Sequence, residues 1–249
     1  MPKKSLSRAK KILAGVTLTG SLLLTSGAQK LKPLDEKPPE LRLPYGLVST
    51  KELRSLLKKM LAEVTPETSR ILTQEEEMTL SALVEKTLGI KAVSQLQGNR
   101  LNHQVGYIGL EQHLPRRPND TLAGREFPQA GLASSRGAWG YVPAEKEKYY
   151  LAVQTLYLPD WQARLGELRD WYKFRKMVAI NPETGAAVVA VIADAGPAKW
   201  TGKQFGGSPL VMHDLGFYPK KTKGKIILLF VDDPDDKIPL GPVSHAKTI

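Results

Sequence analysis

The chain has 249 residues, a formal net charge of +11 and a pI near 9.7. Hydrophobic residues make up 41% and charged residues 24%, the usage of a globular protein, which excludes wholesale disorder. The absence of cysteine excludes a disulfide scaffold, thiolate metal ligands, a thiol nucleophile and a lipid-modified N-terminal cysteine.

The charge is unevenly spread. Residues 1–28 carry Lys3, Lys4, Arg8, Lys10 and Lys11 and no acid. An apolar run follows from Ile12 to Leu24, then small residues that include Ser26 and Ala28. That order predicts a secretory signal peptide cleaved before Gln29. The run is short of the roughly 20 apolar residues of a comfortable span, so an uncleaved anchor is the lesser alternative. Either way the remainder is expected outside the cytoplasm: secreted, periplasmic or wall-associated. Without the leader the net charge is 11 − 5 = +6. No helix-turn-helix, zinc-finger or RNA-binding signature accompanies it, so no nucleic-acid partner is expected.

Residues 29–48 contain Pro33, Pro38, Pro39 and Pro44 and are predicted to form an extended linker. Residues 49–135 are expected to be a helical and loop region. Ser49 with Glu52 has capping-box spacing, and Leu53, Leu56, Leu57, Met60, Leu61 and Val64 make a helical stripe that Pro66 stops. Thr73 with Glu76 repeats the signal before Leu80, Leu83, Val84 and Leu88, and Gly89 suits the helix end. Beyond it the prolines predict loops with one short helix around Ile108–Leu114. Ala138–Val142 reads as a short strand, Tyr149–Leu158 as β-rich and Trp161–Tyr172 as a short helix. Met177–Ile180 and Ala186–Ala193 flank Asn181-Pro182-Glu183-Thr184-Gly185 as a β-hairpin. Its second strand, and Lys225–Val231, are apolar without alternation, so both faces should be buried. Ser208-Pro209 fits a helix cap with proline at the first helical position. Residues 233–249 are expected to be a loose tail.

The order Asn181, Gly185, Asp194-Ala195-Gly196-Pro197, Gly202, Ser208 and Leu215-Gly216 resembles the core of the double-psi β-barrel of rare lipoprotein A. More distantly it is similar to the barrels of expansins and membrane-bound lytic transglycosylase A. The resemblance implies an α+β chain, with a six-stranded double-psi barrel over 136–232 behind an N-terminal helical segment. Trp139-Gly140-Tyr141 would match the first strand. It also implies an exported protein acting on peptidoglycan or another anionic wall glycan, without a cofactor. The activity implied is that of a lytic transglycosylase, which breaks the glycan between sugars and leaves an anhydro end. Asp194 matches the family's acid/base aspartate. A carboxylate beside a tight turn is equally suited to capping backbone amides.

Three departures favour the alternative, a non-catalytic expansin-like binding or structural module. The family histidine is missing from Trp171–Arg175, the second aspartate falls on Gly206, and the motif arginine is Ala195. Glu111, His113 and Asp120 in the loop region, and His213 with Asp214 on the short helix, are candidate replacements. Trp200, Trp139 and Tyr141 are candidates for stacking on sugars, although core packing is the default for aromatic side chains. Ser208 completes the candidate substrate site. The four histidines have no zinc spacing, and no metal is expected.

Overall fold

The computed structural model describes residues 50–243. The expected signal peptide, the linker and Ser49 lie outside them. No helix among the described residues is long and apolar enough to cross a membrane.

Two helices come first, α1 (Thr50–Val64) and α2 (Gln74–Leu88). The capping box of α2 forms as its spacing predicts: Thr73 Oγ1 accepts from Glu76 N at 3.3 Å, and Glu76 Oε2 accepts from Thr73 N at 2.9 Å. Gly89 ends the helix in the left-handed region at φ 67°. Each helix buries one apolar stripe, as Leu57, Leu61, Leu80 and Val84 show.

The strands are β1 (Ala92–Val93), β2 (Gln95–Leu96), β3 (Asn99–Arg100), β4 (Val105–Leu110), β5 (Tyr150–Val153), β6 (Lys176–Ile180), β7 (Ala187–Asp194), β8 (Phe205–Gly207), β9 (Lys223–Val231) and β10 (Gly241–Pro242). Short helices α3 (Ala144–Lys148), α4 (Leu165–Tyr172) and α5 (Pro209–Asp214) lie between them. Following the pairings from β4 leads through β9, β6, β7, β5 and β8 and back to β4. The chain is therefore α+β, with a closed six-stranded barrel. The sheet is mixed: β4 runs parallel to β8 and β5 parallel to β7, and the other four contacts are antiparallel. This arrangement is compatible with a double-psi barrel. β1 extends the edge of β9 and β10 that of β7.

Strand alternation divides the apolar residues into two sets. Ile108, Leu151, Met177, Ile192, Phe205 and Phe230 fill the barrel. Val178, Ile180, Val189, Ile227 and Leu229 point outward, where Leu57, Leu61, Leu80 and Val84 cover them. This second layer is why β7 and β9 read as continuous apolar runs. The hairpin turn forms where expected: Asn181 Oδ1 accepts from Glu183 N at 2.9 Å, and its Nδ2 donates to Leu215 O at 2.8 Å.

Three expectations are corrected. Ile108–Leu114 is not a helix, because Val105–Leu110 is a barrel strand between β8 and β9. Ala138–Val142 is not a strand; a turn with a single bridge between Gly137 and Gly140 takes its place. The segment after Asp233 is not loose up to residue 243, since β10 pairs with β7 and Ile238, Leu240 and Val243 pack on the outer layer.

Candidate functional site

The wall of the barrel that α1 and α2 leave to the 111–142 segment is built from β4, β8, β5 and the end of β7. Register pairs Asp194 with Ala152, Ala152 with Gly206, and Gly206 with Gly109, one row across four strands. Leu151, Val153, Phe205 and Ile108 point inward. Ala152, Gly206 and Gly109, which alternate with them, therefore face outward and leave a floor with almost no side chains.

Two long side chains occupy the space above that floor. A Cβ added at Gly206 would overlap Cγ and Oε1 of Glu111 and stand 2.7 Å from its Cδ. A Cβ at Gly109 would overlap Cδ of Lys203 and stand 3.1 Å from its Nζ. The two groups meet there, with Lys203 Nζ donating to Glu111 Oε1 at 2.9 Å. Burial pushes the Glu111 carboxyl above its usual range; Lys203 offsets part of this and the charge of Asp194 adds to it. Two strand spacings, about 10 Å, separate the backbones of Asp194 and Gly206.

Asp194 ends β7 beside Ala195-Gly196-Pro197. Its Oδ1 accepts from Ala138 N and Ala195 N, both at 2.9 Å. Oδ2 takes no hydrogen bond among the described residues. Gly137 lets the neighbouring turn come close, since a Cβ there would stand 2.7 Å from Ala193 O. The carboxylate thus fixes the 136–140 turn while keeping one oxygen available.

Trp200 lies on the short 3-10 turn Lys199–Thr201 and is 89% exposed, so both ring faces meet solvent. Tyr141 is 39% exposed, with the Arg136 guanidinium 5.5 Å from its ring centre. Trp139 is taken out of the candidate site: it packs in the barrel core and its indole donates to Arg169 O at 2.7 Å. Ser208 is fully buried and caps α5, its Oγ accepting from Val211 N at 3.3 Å and donating to Lys148 O at 2.6 Å.

His113 is also removed from the groove. It is buried, with Nδ1 2.7 Å from Glu147 Oε1. Glu147 has no exposed side-chain surface and also binds Arg116, whose Nε donates to Oε2 at 2.9 Å. Arg125 lies 3.4 Å from the same carboxylate and donates to Asp120 Oδ2 at 2.8 Å. Burial pushes the Glu147 carboxyl up, but hydrogen bonds to His113 and Arg116 outweigh it and hold the group below its usual range. Arg125 and the Arg116 amide hold Asp120 far below its own. These charges tie the 111–125 loop down onto α3.

Sequence reasoning missed Lys203 as a partner of Glu111, and it missed the buried network. The signal for the first was present: Gly109 and Gly206 are strand glycines, which mark a close approach by something else. Among the described residues no cluster of acids and histidines could hold a metal ion. A comparison of the chain with models of known protein families finds no match, and a comparison with curated proteins finds none either.

Proposed function

We propose that the chain is an exported wall protein whose barrel is of the double-psi kind seen in rare lipoprotein A, and that its open wall cleaves a glycan such as peptidoglycan. One observation carries this: the Glu111 side chain fills the space a side chain on Gly206 would take. Gly206 is where the resemblance expects a second aspartate. The carboxylate absent from β8 is supplied instead from the end of β4, so the strongest argument for an inert barrel is answered.

Two carboxylates on one wall divide the work. Glu111, whose carboxyl burial favours in the protonated form, is the proton donor. Its proton goes to the glycosidic oxygen as the bond from that oxygen to the sugar carbon breaks. A hydroxyl of the same sugar then bonds to that carbon, closing the anhydro ring, and its proton returns to Glu111. Asp194, fixed by two backbone amides, stabilises the positive charge on the sugar carbon. Trp200 supplies a flat apolar face for a neighbouring sugar. The Asp194 hydrogen bonds themselves favour the second reading, since a carboxylate capping a turn also suits a module that binds without cleaving.

Incubating the protein with purified sacculi separates the two. The proposal expects anhydro-ended fragments by mass spectrometry, with a loss of about 10²–10⁴-fold for Glu111→Gln. Equal release by wild type and Glu111→Gln removes Glu111 from the chemistry. Binding that Trp200→Ala weakens, with no fragments at all, establishes the binding module.

A further inference from the structure

A second concavity lies away from the groove, at the start of β6 and the end of β9. It is a cavity of about 250 Å³ between the β2–β3 turn, at Gln97, the segment Lys173–Lys176, and the chain from Val231 to Asp236. Lys173, Arg175 and Lys176 line it from the start of β6, and Asp232, Asp233 and Asp236 from the chain after β9.

The acids are already answered. Asp232 pairs with Lys91 at 2.5 Å, and Lys176 pairs with Asp233 at 2.8 Å and with Asp236 at 2.5 Å. Lys173 and Arg175 have no carboxylate partner among the described residues. The Arg175 guanidinium lies 4.4 Å from the ring centre of Trp171, and its Nε donates to Trp171 O at 3.2 Å. Neither contact neutralises it. A half-buried guanidinium without a counter-ion is an unfavourable arrangement that an incoming anion relieves. Gln97, Phe174 and Asp236 all have left-handed φ, at 50°, 54° and 54°; for Gln97 the two-residue turn between β2 and β3 requires it.

We infer that this cavity binds a small carboxylate-bearing ligand, its carboxylate received by Arg175 and Lys173. The guanidinium offers the fork geometry that a carboxylate matches with two parallel hydrogen bonds. Gln97 borders the same space. Its Oε1 accepts from the Trp171 indole at 2.9 Å, and its amide N–H groups have no hydrogen bond among the described residues. The volume, near the low end for ligand sites, suits a single acid or the end of a short chain.

The test uses two probes that differ in one group, N-acetylalanine and N-acetylalanine amide, titrated into the intact chain by calorimetry. The Trp171 indole resonance reports on the cavity wall. The acid should bind with a dissociation constant of about 1 mM and the amide about tenfold more weakly or worse. Arg175→Gln should weaken acid binding by about tenfold, and Lys173→Gln by about threefold. Lys173 is exposed, so its variant decides the matter if the loss of Arg175 stacking upsets folding. The inference is overturned by no binding of either probe, by equal binding of both, or by acid binding that Lys173→Gln leaves unchanged. None of these outcomes touches glycan cleavage at the other wall.

Discussion

The two outer walls of the barrel use the same alternation to opposite ends. On β6, β7 and β9 the outward positions hold Val178, Ile180, Val189, Ile227 and Leu229, and two helices cover them. On β4, β8 and β5 one outward row holds Gly109, Gly206 and Ala152, while Tyr150 beside it is covered by Leu114 and Val142 of the connecting segment and not by a helix stripe. Large outward side chains oblige the fold to bring a cover. Small ones leave a shelf that long side chains from the strand ends can reach across. The first wall carries the packing, and the proposed function puts the chemistry on the second, so substitutions should separate them.

The largest effect is expected on the covered wall. Leu80→Ala in α2 removes a fully buried side chain and should cost about 2–5 kcal/mol, read from urea unfolding. Anhydro-product formation by the folded fraction should stay unchanged. If activity falls in step with stability, the walls are not independent. Next comes Gly206→Ala. An added methyl group collides with Glu111 and pushes its carboxyl aside, so activity should drop about tenfold or more. The unfolding free energy should fall by about 1–3 kcal/mol, the cost of overpacking a buried position, and leave the chain folded. Full activity in this variant would show that Glu111 does not work from above Gly206.

The smallest effect sharpens the electrostatics. In the proposed mechanism the protonated form of Glu111 is the active one, so activity is expected to fall as pH rises through its elevated pKa. Lys203 favours the charged form and so lowers that pKa. Lys203→Met removes the opposition and should move the alkaline limb of the pH profile upward. A downward move would mean that Lys203 serves the chemistry in another way.

Much of the covered wall was legible in the sequence. The stripe Leu80, Leu83, Val84 and Leu88, the Thr73 box, and the unalternated runs of β7 and β9 each state their burial locally. The open wall was not. Val105–Leu110 reads VGYIGL, and its two glycines look like loop residues until the register with β8 gives them a purpose. Glu111 and Asp194 are far apart in the chain, and only barrel closure brings them onto one surface. Trp139 and Ser208 show the opposite error. Their chemistry suited a sugar site, but their polar atoms are spent on Arg169, Lys148 and Val211.

The buried network around Glu147 has a consequence for how a substrate arrives. Within it two carboxylates, Glu147 and Asp120, face the guanidinium groups of Arg116 and Arg125, so these four charges cancel at a distance and leave only the exposed Arg117, 3.9 Å from Asp120, in excess. What a polymer meets on approach is set by other groups. Lys199 lies 4.6 Å from the Tyr157 ring centre and Lys223 5.0 Å from that of Tyr107, and neither has an acidic partner among the described residues. Lys220 and Lys221 stand exposed nearby in the chain. If the proposed wall glycan is the substrate, these unpaired lysines are the charges expected to steer it before any specific contact forms. Salt should therefore slow its arrival far more than it loosens the loop beneath.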